Sequence, residues 1–338
     1  MSGSNDLRRR LTGLAHPEWW LDVLAGTFLN PSEAVLVTGF WRSGTTWLLQ
    51  SFSKALRAKA VFEPFHYGIG RYRRSLRESC LLPNTSDEYL NMYMPHLGGE
   101  FSTSNSLISF TEAALTGRIT HPWVRSSRIA NRMERGGTSD WRILETVHRM
   151  RDSMRTRVVT KFVRAHLLVP ALQHSFNPVI IHVRRDPRAI VASFERLDWT
   201  WYRSLSVEEQ LLSPEDGRAE YFESWTDDIR RYDREEPLIR VAAYWALLER
   251  FIDDLEKHPR RVVLSYEDLC LHPERELREH VAPLIPAIPS REQLEVPSET
   301  DRDHHSASMK ERVHGWKDEL HNGTVKKIDE VVSSIEKK

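Results

Sequence analysis

AVLVTGFWRSGTTWLLQSFSKALRAK, residues 34–59, decides the fold because an apolar run, a glycine-bounded turn and an amphipathic stretch follow one another. The apolar run at 34–40 predicts a buried strand of a parallel sheet. Residues 45–59 carry Leu48, Leu49, Phe52 and Leu56 at helical spacing. The stretch therefore predicts a strand, a tight turn and a helix, which is the opening unit of an α/β domain.

Strands and helices continue to alternate after this unit. We predict strands at 60–62, 158–163, 178–183 and 261–266, and helices at 167–174, 187–197, 219–257 and 273–284. Such alternation favours an α/β fold in which a central parallel sheet is flanked by helices, with a P-loop-like nucleotide-binding architecture. We place this single domain at 34–338.

Two segments stand apart from the alternating pattern. Residues 1–33 predict a helical lead-in, where Trp19 and Trp20 supply apolar bulk. Residues 66–140 contain candidate helices near 87–94 and 106–116 and no strong strand. We interpret this segment as an acceptor or lid insertion, with ordinary surface packing as the alternative.

Bulk composition excludes several classes of protein. The 338 residues contain 48 Lys+Arg and 48 Asp+Glu, so the charge balance gives no reason to expect a nucleic-acid partner. The only cysteines, Cys80 and Cys270, do not make a disulfide framework. No run approaches the ~20 apolar residues of a membrane span. We expect a cytoplasmic protein, and a homodimer is compatible with the sequence.

The first motif is GFWRSGTT, residues 39–46, between the predicted strand and helix. Backbone N–H groups at such a turn face an anion, so the position predicts a phosphate-binding loop. The spacing matches G-x-x-x-x-G, but Thr45 and Thr46 follow where an ATP-binding loop continues with lysine. That absence disfavours kinase or ATPase chemistry. The cation comes earlier, at Arg42, and a structural glycine turn remains the alternative.

A second basic turn follows the predicted strand at 178–183. Arg184, Arg185 and Arg188 cluster there, and Ser193 follows Arg185 by eight residues. Arginine forks suit phosphate oxygens, and a serine hydroxyl adds a donor. The motif predicts a second phosphate site, with an ion-paired helix start beside Asp186 as the alternative.

Together the two motifs resemble sulfotransferases that use 3′-phosphoadenosine 5′-phosphosulfate (PAPS). WRSGTTWL, residues 41–48, resembles their 5′-phosphosulfate loop, and RDPRA at 185–189 is similar to the carbohydrate-type members. The resemblance implies that Arg185 and Ser193 hold the 3′-phosphate of PAPS. It implies the loop ligands Arg42, Ser43, Gly44, Thr45, Thr46 and Trp47. The implied reaction is sulfuryl transfer to an acceptor hydroxyl or amine, with Arg42 stabilising the leaving oxygen.

Two later segments extend the resemblance. SYEDL at 265–269 looks like a family element that would place Tyr266 near the adenine, although a core position is the alternative. MKERVHGWKDEL at 309–320 resembles a segment that closes over the nucleotide, with Lys310 and Arg312 as implied phosphate ligands. The resemblance runs from about residue 34 to 332 but is dense only in short blocks.

At the position of the general base, this sequence differs from one branch of the family. Cytosolic small-molecule members carry Lys-Thr-His at a strand end, and the family spacing counted back from Arg185 falls here on KFV, residues 161–163. Because Val163 cannot take a proton, the base must lie elsewhere. His166, three residues after Val163, is a candidate base only if the alignment with the family is shifted.

Glu63 is the predicted base. It precedes Pro64 at the end of the second strand, as in carbohydrate-type members, and His66 is close behind. A strand end beside the phosphate loop would bring its carboxylate near the transferred group. Lys161 is expected to face the same cleft and to contact the sulfuryl group. No metal is expected, since the family needs none and the sequence shows no metal-ligand spacing.

The acceptor is the least determined part of the prediction. The carbohydrate-type motifs favour a sugar, a glycolipid or a glycosylated or small natural product. A nucleotide kinase-like protein and a non-catalytic nucleotide-binding relative stay as alternatives.

Overall fold

Five parallel strands form the centre of the protein. The computed structural model describes residues 29–64, 105–118, 154–163, 165–196, 201–212, 218–298 and 308–338. The strands are β1 (Val35–Gly39), β2 (Lys59–Phe62), β3 (Val158–Val163), β4 (Val179–Arg184) and β5 (Arg261–Ser265). Their order in the sheet is β2-β3-β1-β4-β5, and every neighbouring pair is parallel. The predicted α/β architecture is confirmed.

The apolar strands are explained by burial on both sheet faces. In β1, Val35 and Val37 pack into one core cluster and Leu36 into the other. Successive side chains of a strand point to opposite faces, so a strand covered on both sides needs apolar residues at consecutive positions. This is why residues 34–40 read as a continuous apolar run.

Helices cover both faces of the sheet. They are α1 (Thr45–Ala55), α2 (Asn105–Leu115), α3 (Val169–Ser175), α4 (Pro187–Arg196), α5 (Val207–Leu211), α6 (Arg218–Tyr221), α7 (Thr226–Tyr232), α8 (Pro237–Asp254), α9 (Tyr266–Leu271), α10 (Pro273–Glu276), α11 (Arg291–Glu295), α12 (Met309–His314), α13 (Trp316–Glu319) and α14 (Asn322–Glu336). Short 3₁₀-helices lie at Pro31–Glu33, His166–Leu168, Trp201–Ser204 and Glu223–Trp225, and a π-helical turn at Leu277–Val281.

Different helices cover the two faces of the sheet. Residues of α1, α9, α11 and α12 pack on the Val35 face, and residues of α3, α4, α8 and α14 pack on the Leu36 face. Helix α8 is buried over nine consecutive residues, 241–249. A helix that is apolar on all sides belongs in the interior, and α8 lies between the sheet, α4 and α14.

Most predicted elements are confirmed, but several bounds differ from the prediction. The helix predicted over 45–59 ends at Ala55, and Lys59 already belongs to β2. The helical region predicted at 219–257 is present as α6, a 3₁₀ turn, α7 and α8, and Pro237 occupies the first position of α8. The helix predicted at 273–284 is α10 followed by the π-helical turn. The strand predicted at 261–266 ends one residue early, since Ser265 caps α9 by accepting the Asp268 N–H.

Several predictions fall outside the described residues. These include the lead-in up to residue 28, most of the 66–140 insertion and its helix near 87–94. Within that insertion, the helix predicted near 106–116 is present as α2. Among the helices in the described ranges, none combines the length and the apolar composition that crossing a bilayer requires.

Candidate active site

The carboxyl ends of all five strands meet at one edge of the sheet. The connection from the central strand β1 leads to β2 on one side of the sheet, whereas the connection from its neighbour β4 leads to β5 on the other side. Such a switch point opens a crevice at the carboxyl edge, where α/β proteins bind ligands. Both predicted phosphate motifs end at this crevice, one after β1 and one after β4.

The loop after β1 is shaped by Gly44. This residue has φ +86°, and a Cβ at this position would lie 2.6 Å from the ring of Tyr266. The next residue, Thr45, begins α1, whose N-terminus has free N–H groups for an anion. The loop therefore has the strand–turn–helix geometry of the predicted phosphate cradle.

A lysine reaches this loop from a different strand. Lys161 Nζ lies 2.5 Å from Thr46 Oγ1 and 2.5 Å from Glu63 Oε1. Strand pairing accounts for the contact, because Lys161 is opposite Phe62, the residue before Glu63. We name Thr46, Glu63 and Lys161 the lysine cluster. Lys161 thus places a lysine ammonium beside the loop, although the loop sequence has no lysine after Gly44.

Burial and charge oppose each other in the lysine cluster. The Lys161 side chain is 4% exposed, and burial lowers its pKa; Glu63 acts in the opposite direction, and the charge of Arg42 lowers the pKa further. Glu63 has φ +35°, which is uncommon for a residue with a side chain. The fold thus holds the carboxylate in a strained turn beside the loop, a feature that clusters at functional sites.

The second motif forms a pocket on the other side of β1. Arg42 Nε donates to Ser193 Oγ at 2.8 Å, and Arg185 donates to the carbonyls of Arg42 and Arg312 at 2.8 and 3.0 Å. These four residues line one cavity. We name Arg42, Arg185, Ser193 and Arg312 the arginine pocket. Its members come from three distant parts of the chain.

Tyr266 joins the arginine pocket to the loop. Its ring lies 4.4 Å from the Arg185 guanidinium carbon, which is a cation–π contact, and 5.5 Å from the ring of Trp47. Burial raises the pKa of the Tyr266 hydroxyl. The Trp47 side chain is itself buried and donates to the Leu294 carbonyl at 2.8 Å. Both rings therefore support the site from within the core.

Sequence reasoning missed several residues that line the cavity. They are Ala189, Ala192, Arg196, Glu311, Gly315, Trp316 and Glu319. A signal was present for α4, because positions 189, 192, 193 and 196 have the spacing of one helical face. The two alanines on that face leave room beside Ser193 for a ligand.

The sequence model described as "Sulfotransferase domain" matches residues 32–282. The chain belongs to the sulfotransferase domain family. The match contains the lysine cluster, Arg42, Arg185 and Ser193, and it ends before Arg312. Membership indicates sulfuryl transfer as the class of reaction. A search of curated proteins found no match.

Three solved structures are similar to this chain at low sequence identity. The sulfotransferase domain of the Synechococcus PCC 7002 olefin synthase has 16% identity and a TM-score of 0.42, covering 89% of this chain and 95% of that one. The domain from the curacin biosynthetic pathway has 14% identity and a TM-score of 0.41, covering 90% and 98%. Retinol dehydratase, solved with androsterone and the inactive cofactor PAP, has 14% identity and a TM-score of 0.33, covering 91% and 81%.

A buried charge network joins α8 to the sheet on the Leu36 face. Glu249 of α8 contacts His166 Nε2 at 3.1 Å and His182 Nε2 at 2.9 Å, and Arg184 Nε donates to the same carboxylate at 2.8 Å. Burial lowers the pKa of His166 to about 4. Burial alone would raise the pKa of Glu249, but its neighbours lower it well below the usual value.

This network changes the interpretation of His166. The side chain has no exposed surface and is held by Glu249, so it is not placed to take a proton from an acceptor. The ligand atoms of His166, His182 and Glu249 lie within 4.8 Å of one another, a grouping that the sequence spacing did not reveal. Because Arg184 already pairs with the carboxylate, we interpret the group as a structural charge network.

The structure thus separates the predicted site residues. It brings together Arg42, Arg185, Ser193 and Arg312 on one side of β1, and Thr46, Glu63 and Lys161 on the other. Lys310 is exposed in the first turn of α12 and does not line the cavity, whereas Arg312 does. His66 lies outside the described residues.

Proposed function

We propose that the protein transfers a sulfuryl group from PAPS to a hydroxyl or amine of an acceptor. The observation that carries the proposal is the pair of sites on either side of β1: the phosphate loop with Lys161 beside it, and the arginine pocket. PAPS carries a phosphosulfate at one end and a 3′-phosphate at the other, so it needs two anion sites. ATP has no group for the second site.

The arginine pocket has hydrogen-bond donors to offer the 3′-phosphate. Arg185 Nε and Arg312 Nε are buried and have no hydrogen-bond partner among the described residues. Buried donors without partners are costly, and a phosphate oxygen would satisfy them. The Ser43 hydroxyl, in the loop, is also buried without a partner in the described part of the chain. These groups fit a donor with two anionic ends.

The transfer step assigns different tasks to Glu63 and Lys161. Glu63 accepts the acceptor proton as the new O–S bond forms and the S–O bond to the 5′-phosphate breaks. General-base help of this kind typically supplies ~10²–10⁴-fold in rate. Lys161 and the loop N–H groups stabilise charge on the leaving oxygen. The positive charge of Arg42 acts on Lys161, whose pKa it lowers, and adds to this stabilisation.

The acceptor class is proposed from the motifs. The arginine of the loop and RDPRA at 185–189 are similar to carbohydrate-type members. We therefore favour a hydroxyl of a sugar, a glycolipid or a glycosylated or small natural product. Fold and donor motifs do not transfer acceptor specificity, so a screen with radiolabelled PAPS across sugars, phenols, alcohols and lipids decides the class.

Nucleotide binding tests the donor assignment without an acceptor. We expect adenosine 3′,5′-bisphosphate to raise the melting temperature, and ATP with Mg²⁺ to have a much smaller effect. We also expect sulfuryl transfer to survive EDTA. Stabilisation by ATP with Mg²⁺ alone, together with ATP consumption, would instead indicate a kinase-like protein.

A further inference from the structure

Arg184 belongs to the basic turn of the second motif, but its side chain lies against α8 and not in the arginine pocket. Its Nε donates to Glu249 Oε2 at 2.8 Å, and its Nη2 donates to Asp253 Oδ1 at 2.7 Å. The next residue, Arg185, lines the cavity, and Arg184 does not. Arg184 is therefore outside the anion site that the sequence motif predicted for it.

Strand pairing holds the end of β4 on one side only. On the β1 side, the register ends at Val183, which is opposite Gly39. On the β5 side, Arg184 is opposite Ser265, and Arg185 lies beyond both registers. The position of Arg185 therefore depends on how its chain neighbours are held as well as on its own contacts.

Helix α8 holds the end of β4 from the Leu36 face. Glu249 and Asp253 are four residues apart on α8, so both can face Arg184. His182 lies two residues before Arg184, on the same face of the strand, and its Nε2 contacts the same Glu249 oxygen at 2.9 Å. Because α8 is buried over residues 241–249, this anchor belongs to the core.

Arg185 extends from the strand end in the opposite direction. Its guanidinium stacks on the ring of Tyr266, which packs in the core cluster of the Val35 face. An arginine fork binds phosphate oxygens through several N–H groups at once, so a small displacement of its backbone weakens all of these bonds together. Binding of an anion by Arg185 is thus sensitive to the position of the end of β4.

We propose that Arg184 is a positioning residue for the 3′-phosphate site and acts through Arg185. Anchored to Glu249 and Asp253, it fixes the end of β4 from one face of the sheet, while Arg185 binds the donor on the other. The inference rests on the proposed function and deepens it, because it links the donor site to the buried charge network. Arg184 itself does not contact the nucleotide.

The test is calorimetric binding of two nucleotides to Arg184→Met: adenosine 3′,5′-bisphosphate, and AMP, which lacks only the 3′-phosphate. Methionine keeps a long side chain but has no hydrogen-bond donor. The affinity for the bisphosphate should fall by about threefold to tenfold, and the affinity for AMP should change by less than about twofold. Arg184→Lys keeps a charge beside Glu249 and should restore most of the bisphosphate affinity.

Two neighbouring aspartates of α8, both exposed, provide milder matched variants. Asp253→Ala removes a partner of Arg184 and should lower the ratio of the bisphosphate affinity to the AMP affinity by about twofold or more. Asp254→Ala removes a partner of Arg250 and should leave this ratio unchanged. Circular dichroism shows whether Arg184→Met is folded, and Asp253→Ala decides the question if it is not.

A double variant shows whether Arg184 acts through Arg185. In an Arg185→Lys background, Arg184→Met should reduce the bisphosphate affinity by less than about a further twofold, because the residue that it positions is already altered. Full additivity, equal loss for both nucleotides, or an unchanged ratio in Asp253→Ala would show that the inference is wrong. If the wild-type protein binds neither nucleotide, the proposed function fails and the inference fails with it.

Discussion

The lysine cluster and the arginine pocket lie at the same edge of the sheet, yet their charged side chains have different kinds of partner. In the lysine cluster, a buried ammonium is paired with a carboxylate and a hydroxyl at 2.5 Å. In the arginine pocket, Arg185 donates to carbonyls and Arg42 donates to a serine. The difference teaches that one site contains a group able to accept a proton and the other is organised to bind an anion.

This contrast has a physical basis in the sheet. The lysine cluster is built from β2, β3 and the start of α1, and strand register brings Lys161 next to Glu63. The arginine pocket is built from the ends of β1 and β4, helix α4 and the C-terminal segment. Both sites use strand ends, and the arginine pocket also needs Arg312, which comes from far along the chain.

The largest expected effect is on turnover after Glu63→Gln. The amide cannot take the acceptor proton, so sulfuryl transfer should fall by about 10²–10⁴-fold, measured as transfer of radiolabelled sulfate. The matched control is Glu274→Gln, an exposed glutamate in α10, which should keep wild-type activity. Full activity of Glu63→Gln would show that Glu63 is not the base and would favour the alternative His66, which lies outside the described residues.

A smaller effect is expected on stability in acid. The pKa of His166 is about 4 in the fold against 6.5 unfolded, so the unfolded chain gains a proton as pH falls through this window and the fold does not. The stabilisation that comes from keeping His166 unprotonated is present above about pH 6.5 and is lost as the pH falls toward 4. Between about pH 7 and about pH 5 we expect a loss of about 2 kcal/mol in the free energy of unfolding.

Urea unfolding of His166→Gln at both pH values checks this origin. The variant should lose much of the pH dependence, because glutamine does not titrate, while exposed His174→Gln should retain it. Glu249, whose lowered pKa acts in the same direction, accounts for what remains in more acidic solution. An unchanged pH dependence in His166→Gln would show that His166 is not the titrating group.

The sequence predicted more of the fold than of the site. Alternating apolar strands and amphipathic helices are local patterns, so the sheet and most helices could be predicted, and β3 has the predicted bounds. The anion motifs were also local. The contact between Lys161 and Glu63 depends on strand order, with β3 inserted between β1 and β2, and only the folded sheet reveals it.

Other parts of the site could not be read from the chain. The Glu249 network joins three separate elements, and no spacing links position 249 to 166 and 182. Likewise, Tyr266 matched a family element, but its packing under Gly44 follows from the close approach of α9 to the loop. Lys310 and Arg312 are two residues apart on α12, and the turn of the helix brings only Arg312 into the cavity.

The most direct test of the division between the two sites is calorimetric binding of adenosine 3′,5′-bisphosphate to two variants. Arg185→Lys keeps the charge but loses the fork and should weaken binding by about tenfold or more. Glu63→Gln should bind within about threefold of wild type. The reverse result, with weak binding by Glu63→Gln and wild-type binding by Arg185→Lys, would contradict the assignment of transfer to the lysine cluster and of binding to the arginine pocket.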